Sequence, residues 1–197
     1  SENSKNLNTN EEFNRIGNSL DDLSSMIEYL SQLHHEGSIS EKKESILVGS
    51  VILEILELLN PHIKSRIKIE ITPKELEFIG FKIEFKNVLM NIISNSLDEL
   101  EMIDNPEIKI EGFEVEKGEH KIVAISIADN GNGIEYEDIH RIFDPSFTKK
   151  RNGTGLGLPI SKYFIEHRLK GLIEVKSRLG VGTKFTIKFP KSFSLVT

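Results

Sequence analysis

The first side chains that could take part in chemistry are three asparagines and one aspartate in a row near the middle of the chain. Asn87, Asn91, Asn95 and Asp98 follow one another at steps of four, four and three residues. That spacing places them on one face of a helix. Asparagine is a poor helix former because its side chain competes for backbone hydrogen bonds. The row therefore predicts either a solvated polar face or neutral oxygens facing a metal–phosphate group, and such oxygens suit Mg²⁺.

A carboxylate follows a run of apolar residues farther along the chain. Asp129 ends the predicted strand, and Gly131, Gly133 and Ile134 come next. Asp-Asn-Gly is common in turns, so a simple hairpin is one interpretation. In the other, the carboxylate accepts a hydrogen bond from an exocyclic amine while the glycines let the backbone come close. A buried acceptor of that kind rejects an analogue that lacks the donor by a factor on the order of 10⁴, and an adenine amino group would satisfy it.

A basic, glycine-rich segment spans 149–157 and leads into a predicted helix. Backbone N–H groups and the positive end of a helix favour anions. The segment lacks the Gly-Lys-Ser/Thr of a Walker loop, and no buried strand precedes it as in a Rossmann fingerprint. A flexible turn is therefore the alternative to a phosphate-binding loop. A second glycine pair, Gly180 and Gly182, precedes Thr183 and by itself predicts only a hairpin.

The elements that must position these residues mix helices and strands without a strict βαβ repeat. The periodicity predicts an α+β fold, with one mixed β-sheet and helices on one face in a two-layer sandwich. The predicted helices are 50–59, with Ser50 as the N-cap, 82–102 and 158–167. The predicted strands are 66–71, 108–115, 121–128, 171–176 and 183–189.

The first forty residues follow a different pattern. Residues 1–10 are polar and read as disordered or as a chain end. Apolar residues then recur at heptad spacing, at Phe13, Ile16, Leu20, Leu23, Ile27 and Leu30. A narrow stripe of this kind predicts a helix that packs against another helix.

Composition excludes several classes of protein. The 197 residues include no cysteine, which rules out disulfides and thiolate chemistry. The net charge of −6 disfavours binding to nucleic acid. No apolar run approaches the roughly 18 residues that span a bilayer, and no signal peptide is visible. We therefore expect a cytoplasmic chain, although the intact protein could be anchored to a membrane.

Taken in order, these segments resemble the ATP-binding domain of sensor histidine kinases, within the Bergerat-fold ATPases. The similarity covers about 46–190. The segment 85–96 resembles the N box of the family, 129–133 the first glycine box and 143–148 the F box. The segment 153–158 resembles the second glycine box, and 180–183 closes the set. The residues 95–99, Asn-Ser-Leu-Asp-Glu, resemble the subgroup related to nitrogen-regulation kinases.

The resemblance implies ATP and Mg²⁺ as cofactors, and it implies a role for each matching residue. Asn95 would coordinate Mg²⁺, and Asn91 would lie near the triphosphate as a catalytic residue. Asp129 would hold the adenine amino group, and Thr183 would support that end of the base through water. The remaining residues implied to bind ATP are Gly131, Gly133, Ile134, Lys149, Gly153, Thr154, Gly155, Leu156 and Gly157, those from 149 to 157 as a mobile lid.

The resemblance also implies a domain organisation and partners. Residues 11–37 would be the second helix of a dimerisation hairpin, 38–191 the ATP-binding domain and 192–197 a tail. The intact protein would be a homodimer that phosphorylates a histidine on the hairpin and relays the phosphate to a response regulator. His35-Glu36 resembles the start of an acceptor motif, but no proline follows. We therefore expect the acceptor segment to be absent from this chain, and we do not expect the chain to autophosphorylate alone.

Two other functions compete with the kinase. Conformational ATPases of the topoisomerase, mismatch-repair and chaperone type carry a glutamate base one helical turn before the metal-binding asparagine. Here that position is Asn91, which cannot accept a proton at neutral pH. The second competitor is a non-catalytic nucleotide-binding or dimerising module, or a serine kinase of the anti-sigma type.

Overall fold

The computed structural model describes residues 43–58, 68–72, 75–118, 120–150 and 153–192. The chain divides into two compact units: Lys42–Phe143 with Gly157–Thr197, and Ser1–Glu41 with Asp144–Leu156. The predicted heptad helix and the last five residues lie outside the described part. The helices are α1 (Val48–Leu58), α2 (Lys82–Glu99) and α3 (Gly157–His167). The strands are β1 (Glu44–Leu47), β2 (Lys68–Thr72), β3 (Glu77–Gly80), β4 (Glu107–Lys117), β5 (His120–Asp129), β6 (Leu172–Arg178) and β7 (Gly182–Pro190).

Five strands form one mixed sheet in the order β2-β4-β5-β7-β6. Strand β2 runs parallel to β4, and every other neighbouring pair is antiparallel. Asp129 at the end of β5 pairs with Thr183 on β7, which in turn pairs with Ser177 on β6. Because cross-strand partners point to the same face of a sheet, these three polar side chains form one row at its edge.

One face of the sheet is buried and the other is charged. Phe185, Ile187 and Phe189 alternate along β7 as buried side chains, as expected for a sheet with one face in the core. On the opposite face Lys184 forms an ion pair with Glu111 at 3.9 Å. The helices lie on the buried face, so the predicted α+β architecture with a mixed sheet and helices on one face is confirmed.

An aromatic cluster joins three elements of the core. The ring of Phe78 on β3 lies 4.8 Å from Phe85 on α2 and 4.6 Å from Phe189 on β7, in both cases edge to face. All three side chains are fully buried. Edge-to-face pairs add about 0.5–1.5 kcal/mol each beyond the area that they bury, so this cluster fixes the start of α2 against the sheet.

The β1–β3 ribbon was not predicted from the sequence. It pairs two antiparallel strands of four residues each, which is too short a stretch for apolar periodicity to distinguish a strand from a loop. Ile46 and Phe78, which face each other in the register, are buried at the centre of the ribbon.

The boundaries of two helices differ from the prediction. Helix α1 begins at Val48, so Ser50 lies within its first turn and the predicted N-cap is wrong. Here the chain enters the helix directly from β1, and the Val48 N–H is satisfied by Leu76 O at 2.8 Å. Helix α2 ends at Glu99 rather than at residue 102 because the next residues tighten into i→i+3 hydrogen bonds, such as Ile103 N–H to Leu100 O at 3.2 Å.

No helix in the described ranges combines the length and the apolar character needed to cross a membrane.

Candidate functional site

The carboxylate of Asp129 is held by three neutral hydrogen-bond donors. Oδ1 accepts from the backbone N–H groups of Gly131 at 3.0 Å and Thr183 at 3.1 Å. Oδ2 accepts from the Ser96 hydroxyl at 2.8 Å. A carboxylate offers about four acceptor positions, so these bonds orient the group and leave room for one further donor. Asp129 is only partly buried, and a ligand amine could therefore reach it.

The loop after Asp129 is fixed to the end of α2 and to the start of β4. The Asn130 side chain accepts from Glu107 N–H at 2.8 Å and donates to Asn105 O at 3.0 Å. The Asn132 amide donates to the carboxylate of Glu99 at 3.2 Å. Because both ends of the loop are tied to rigid elements, its glycines are held in one conformation.

The hairpin between β6 and β7 closes the other side of this loop. Gly180 N–H donates to Asn132 O at 2.7 Å, and Ile134 N–H donates to the Ser177 hydroxyl at 2.8 Å. The structure thus brings Thr183 beside Asp129, Gly131, Gly133 and Ile134, which the sequence placed in a separate segment.

Gly133 is one of the positions in this contact that exclude a side chain. Its φ is +73°, and an added Cβ would lie 2.2 Å from the carbonyl oxygen of Arg178. Gly180 has the same φ, yet nothing lies within 4 Å of its Cβ position. Substitution of the two glycines therefore distinguishes two losses of folding free energy: both variants have a strained left-handed backbone, but only the Gly133 variant has a steric clash.

We expect Gly133→Ala to reduce the free energy of unfolding by about 1–3 kcal/mol more than Gly180→Ala, because only the first substitution overpacks against backbone. Both variants carry a similar left-handed penalty of about 1–2 kcal/mol. Urea denaturation of the two variants measures the difference. Equal losses of stability would mean that the loop and the hairpin are not in close contact.

The amide row on α2 faces two environments. Asn91 and Asn95 are half-buried, whereas Asn87 and Asp98 at the two ends of the row are exposed. The opposite side of α2 is an apolar stripe in which Val88, Leu89, Ile92 and Ile93 are buried.

The Asn91 side chain links α2 to the start of α3. Its Nδ2 donates to Gly157 O and to the Ser161 hydroxyl, both at 3.2 Å. Ser161 is fully buried and donates in turn to Gly157 O at 2.8 Å. The amide nitrogen of Asn91 is therefore engaged within the protein by two hydrogen bonds.

Asn95 and Ser96 connect this region to the carboxylate. Residues 91 and 96 are five positions apart, or about 7.5 Å along a helix. Ser96 contacts Asp129, and Asn95 lies between the two contacts on the partly exposed side. Helix α2 therefore carries both Asn91, which contacts the start of α3, and Ser96, which orients the Asp129 carboxylate.

The segment Asp144–Leu156 belongs to the other unit and has its own hydrogen bonds. Ser146 N–H donates to Gly155 O at 3.2 Å, and Gly153 N–H donates to Lys150 O at 3.2 Å. Leu156 N–H donates to the Thr154 hydroxyl at 3.3 Å. Lys149 is exposed and Leu156 is buried. The segment thus turns back on itself, with residues 151 and 152 outside the described part.

Three serines were missed as parts of the site. Ser96 occupies a position in the apolar stripe of α2, where a hydroxyl needs a partner; this was the available signal. Ser177 is the cross-strand partner of Thr183, which could be inferred only once the hairpin register was known. Ser161 gave no signal, because a serine near a helix start is common.

A family profile described as histidine kinase-, DNA gyrase B- and HSP90-like ATPase matches residues 80–192. Among curated proteins, the chain is 32% identical over 126 residues to the C4-dicarboxylate transport sensor protein DctB of Rhizobium meliloti, covering 64% of the chain and 19% of that protein. It is 39% identical over 105 residues to the signal transduction histidine-protein kinase AtoS of Escherichia coli, covering 53% of the chain and 16% of that protein. The chain therefore spans less than a fifth of the length of these two relatives.

Solved structures give the same picture at the level of the fold. The catalytic domain of the histidine kinase ThkA superposes with a TM-score of 0.65 at 28% identity, covering 77% of this chain and 97% of that one. The mycobacterial sensor histidine kinase MprB superposes equally well, with a TM-score of 0.65, but at 22% identity it supports the fold alone.

Proposed function

Because the chain belongs to the family of histidine kinase-, DNA gyrase B- and HSP90-like ATPases, we propose that it is the ATP-binding catalytic domain of a sensor histidine kinase. The observation that carries this proposal is the Asp129 carboxylate, which three neutral donors orient and which keeps one acceptor position for a ligand. The near-complete coverage of the ThkA catalytic domain supports the same assignment.

Binding of the base is the first task of the proposed site. The spare acceptor of Asp129 would receive the exocyclic amino group of adenine, and a base that carries a carbonyl there would face an unpaired charge. Gly131, Gly133 and Ile134 would lie against the base, and Thr183 would support it. Selection between ligands at this carboxylate can be large, because a bound base covers the group and the wrong base leaves it without a partner.

Mg²⁺ fits the side-chain oxygens that α2 offers at the proposed phosphate-binding end of the site. In the described ranges no group of three or more acidic or histidine side chains is placed to hold a metal. The half-buried amide of Asn95 could supply a neutral oxygen ligand instead. Mg²⁺ commonly takes few protein ligands and uses phosphate and water oxygens for the rest. When bound, it would neutralise charge on the phosphates, and Asn95 would hold it in place.

The chain's own residues would act mainly by positioning. We propose that Asn91 orients the triphosphate, with its nitrogen held by Gly157 and Ser161. The segment with Lys149, Gly153, Thr154, Gly155, Leu156 and Gly157 would supply positive charge and backbone N–H groups to the phosphates. The acceptor would be a histidine nitrogen on a dimerisation hairpin, and the final recipient an aspartate of a response regulator. The nitrogen-regulation subgroup remains a prediction.

Release of phosphate from ATP·Mg²⁺ by this chain separates the kinase from the ATPase hypothesis. Because Asn91 is an amide, which cannot activate water as a base, we expect saturating binding by calorimetry and negligible release. Steady release that disappears in Asn91→Ala would instead assign the chain to the conformational ATPases. Asn87→Ala, an exposed amide two turns away from Asn95 on the same row, is the matched control.

A further inference from the structure

Ser177 makes three hydrogen bonds at the edge of the sheet that carries Asp129. Its hydroxyl oxygen lies 2.8 Å from Ile134 N, 3.0 Å from Gly182 O and 2.8 Å from the hydroxyl oxygen of Thr183. These partners belong to the loop after β5 and to the start of β7. A single side chain therefore joins both segments that surround the carboxylate.

The chemistry of these groups determines the direction of each bond. A serine hydroxyl has one proton to donate and two lone pairs that accept. Ile134 N–H can only donate, and Gly182 O can only accept. Because Ser177 has one proton, all three contacts are hydrogen bonds only if Ser177 donates to Gly182 O and the Thr183 hydroxyl donates to Ser177.

That direction has a consequence for the ligand. Once the proton of Thr183 is directed to Ser177, its hydroxyl can only accept from any other group. Asp129, its neighbour in the same row, is an acceptor as well. We propose that Ser177 is a positioning residue that fixes the proton of Thr183, so that this end of the site offers acceptors only and favours a 6-amino over a 6-oxo purine. This inference rests on the proposed binding of adenine nucleotides.

Ser177→Ala tests the inference through the ratio of two affinities. Without Ser177, the Thr183 hydroxyl can rotate and donate to a 6-oxo group, which inosine triphosphate carries in place of the amino group of ATP. We expect the preference for ATP over inosine triphosphate, measured by calorimetry, to fall by about tenfold, the effect of gaining or losing one well-made hydrogen bond. A purely structural loosening would weaken both nucleotides equally and leave the ratio unchanged.

Two serine variants provide the controls. Ser177→Thr keeps the hydroxyl on a strand, where a β-branched residue is well tolerated, and should keep the wild-type ratio. Ser126→Ala removes a buried hydroxyl of β5 that has no hydrogen-bond partner, and it should also leave the ratio unchanged. An unchanged ratio in Ser177→Ala would overturn the inference.

Thr183→Val gives a second, independent variant if Ser177→Ala does not fold. It removes a hydroxyl that only accepts, so ATP should lose affinity while inosine triphosphate does not, and the ratio should again fall. A ratio that stays constant or rises would overturn the inference. Failure of the wild-type chain to bind ATP at all would refute the proposed function instead, so the two failures are distinguishable.

Discussion

Asp129→Asn is expected to lower the affinity for ATP by about two orders of magnitude or more without unfolding the protein. The asparagine oxygen can still accept from the N–H groups of Gly131 and Thr183, which Oδ1 accepts in the native chain. Its nitrogen replaces Oδ2, and the Ser96 hydroxyl can rotate to accept from it. The group offered to the ligand then becomes a donor, which opposes the amino group of adenine.

Calorimetric titration with ATP measures the effect, and thermal unfolding of the same variant shows whether the fold is retained. Asp104→Asn is the matched control, because it makes the same charge change at an exposed residue and should bind like the native chain. A folded Asp129→Asn variant with native affinity would remove the basis for assigning the base-binding end.

Asn95→Ala is expected to remove the dependence of nucleotide binding on Mg²⁺. Even the loss of outer partners weakens metal sites by about 10- to 100-fold, so loss of the proposed ligand should reduce the metal-dependent part of the affinity by at least about tenfold. The fold should survive, because Asn95 lies on the partly exposed side of α2 and alanine is the best helix former.

Titration of ATP with Mg²⁺ and with a chelator measures this dependence in the native chain and in the variant. Asn87→Ala is the control, since it removes the same amide from an exposed position of the same row. If Asn95→Ala keeps the full response to Mg²⁺, Asn95 is not a ligand of the metal.

Much of the fold could be predicted because its main elements carry long periodic patterns. Helix α2 was predicted with its first residue at Lys82, since its apolar residues, such as Val88, Leu89 and Ile92, recur at helical spacing. Strands β4 to β7 were each predicted within two residues, because alternating apolar residues and glycine turns define them. Elements of four residues, such as β1 and β3, lack the length for such a pattern.

The sequence predicted the carboxylate and the glycines of the candidate site but not the hydrogen-bond network that holds them. Asp129 and Gly133 stand in a recognisable run, whereas Ser96 and Ser177 are isolated serines whose partners are 33 and 43 residues away. Contacts at that separation depend on sheet register and helix packing, which local sequence does not encode. The predicted start of α1 was wrong for a related reason. The first N–H of the helix, that of Val48, is satisfied by Leu76, which belongs to a distant segment.

The most direct test of the central claim is a calorimetric titration of the chain with ATP·Mg²⁺ and, separately, with GTP·Mg²⁺. In the proposed site, the 6-oxo group of guanine would face the Asp129 carboxylate, where adenine would present a donor. We predict one ATP bound per chain and no detectable binding of GTP at the same concentrations. Equal binding of the two nucleotides, or no binding of ATP, would contradict the assignment of this chain as an adenine-nucleotide-binding catalytic domain.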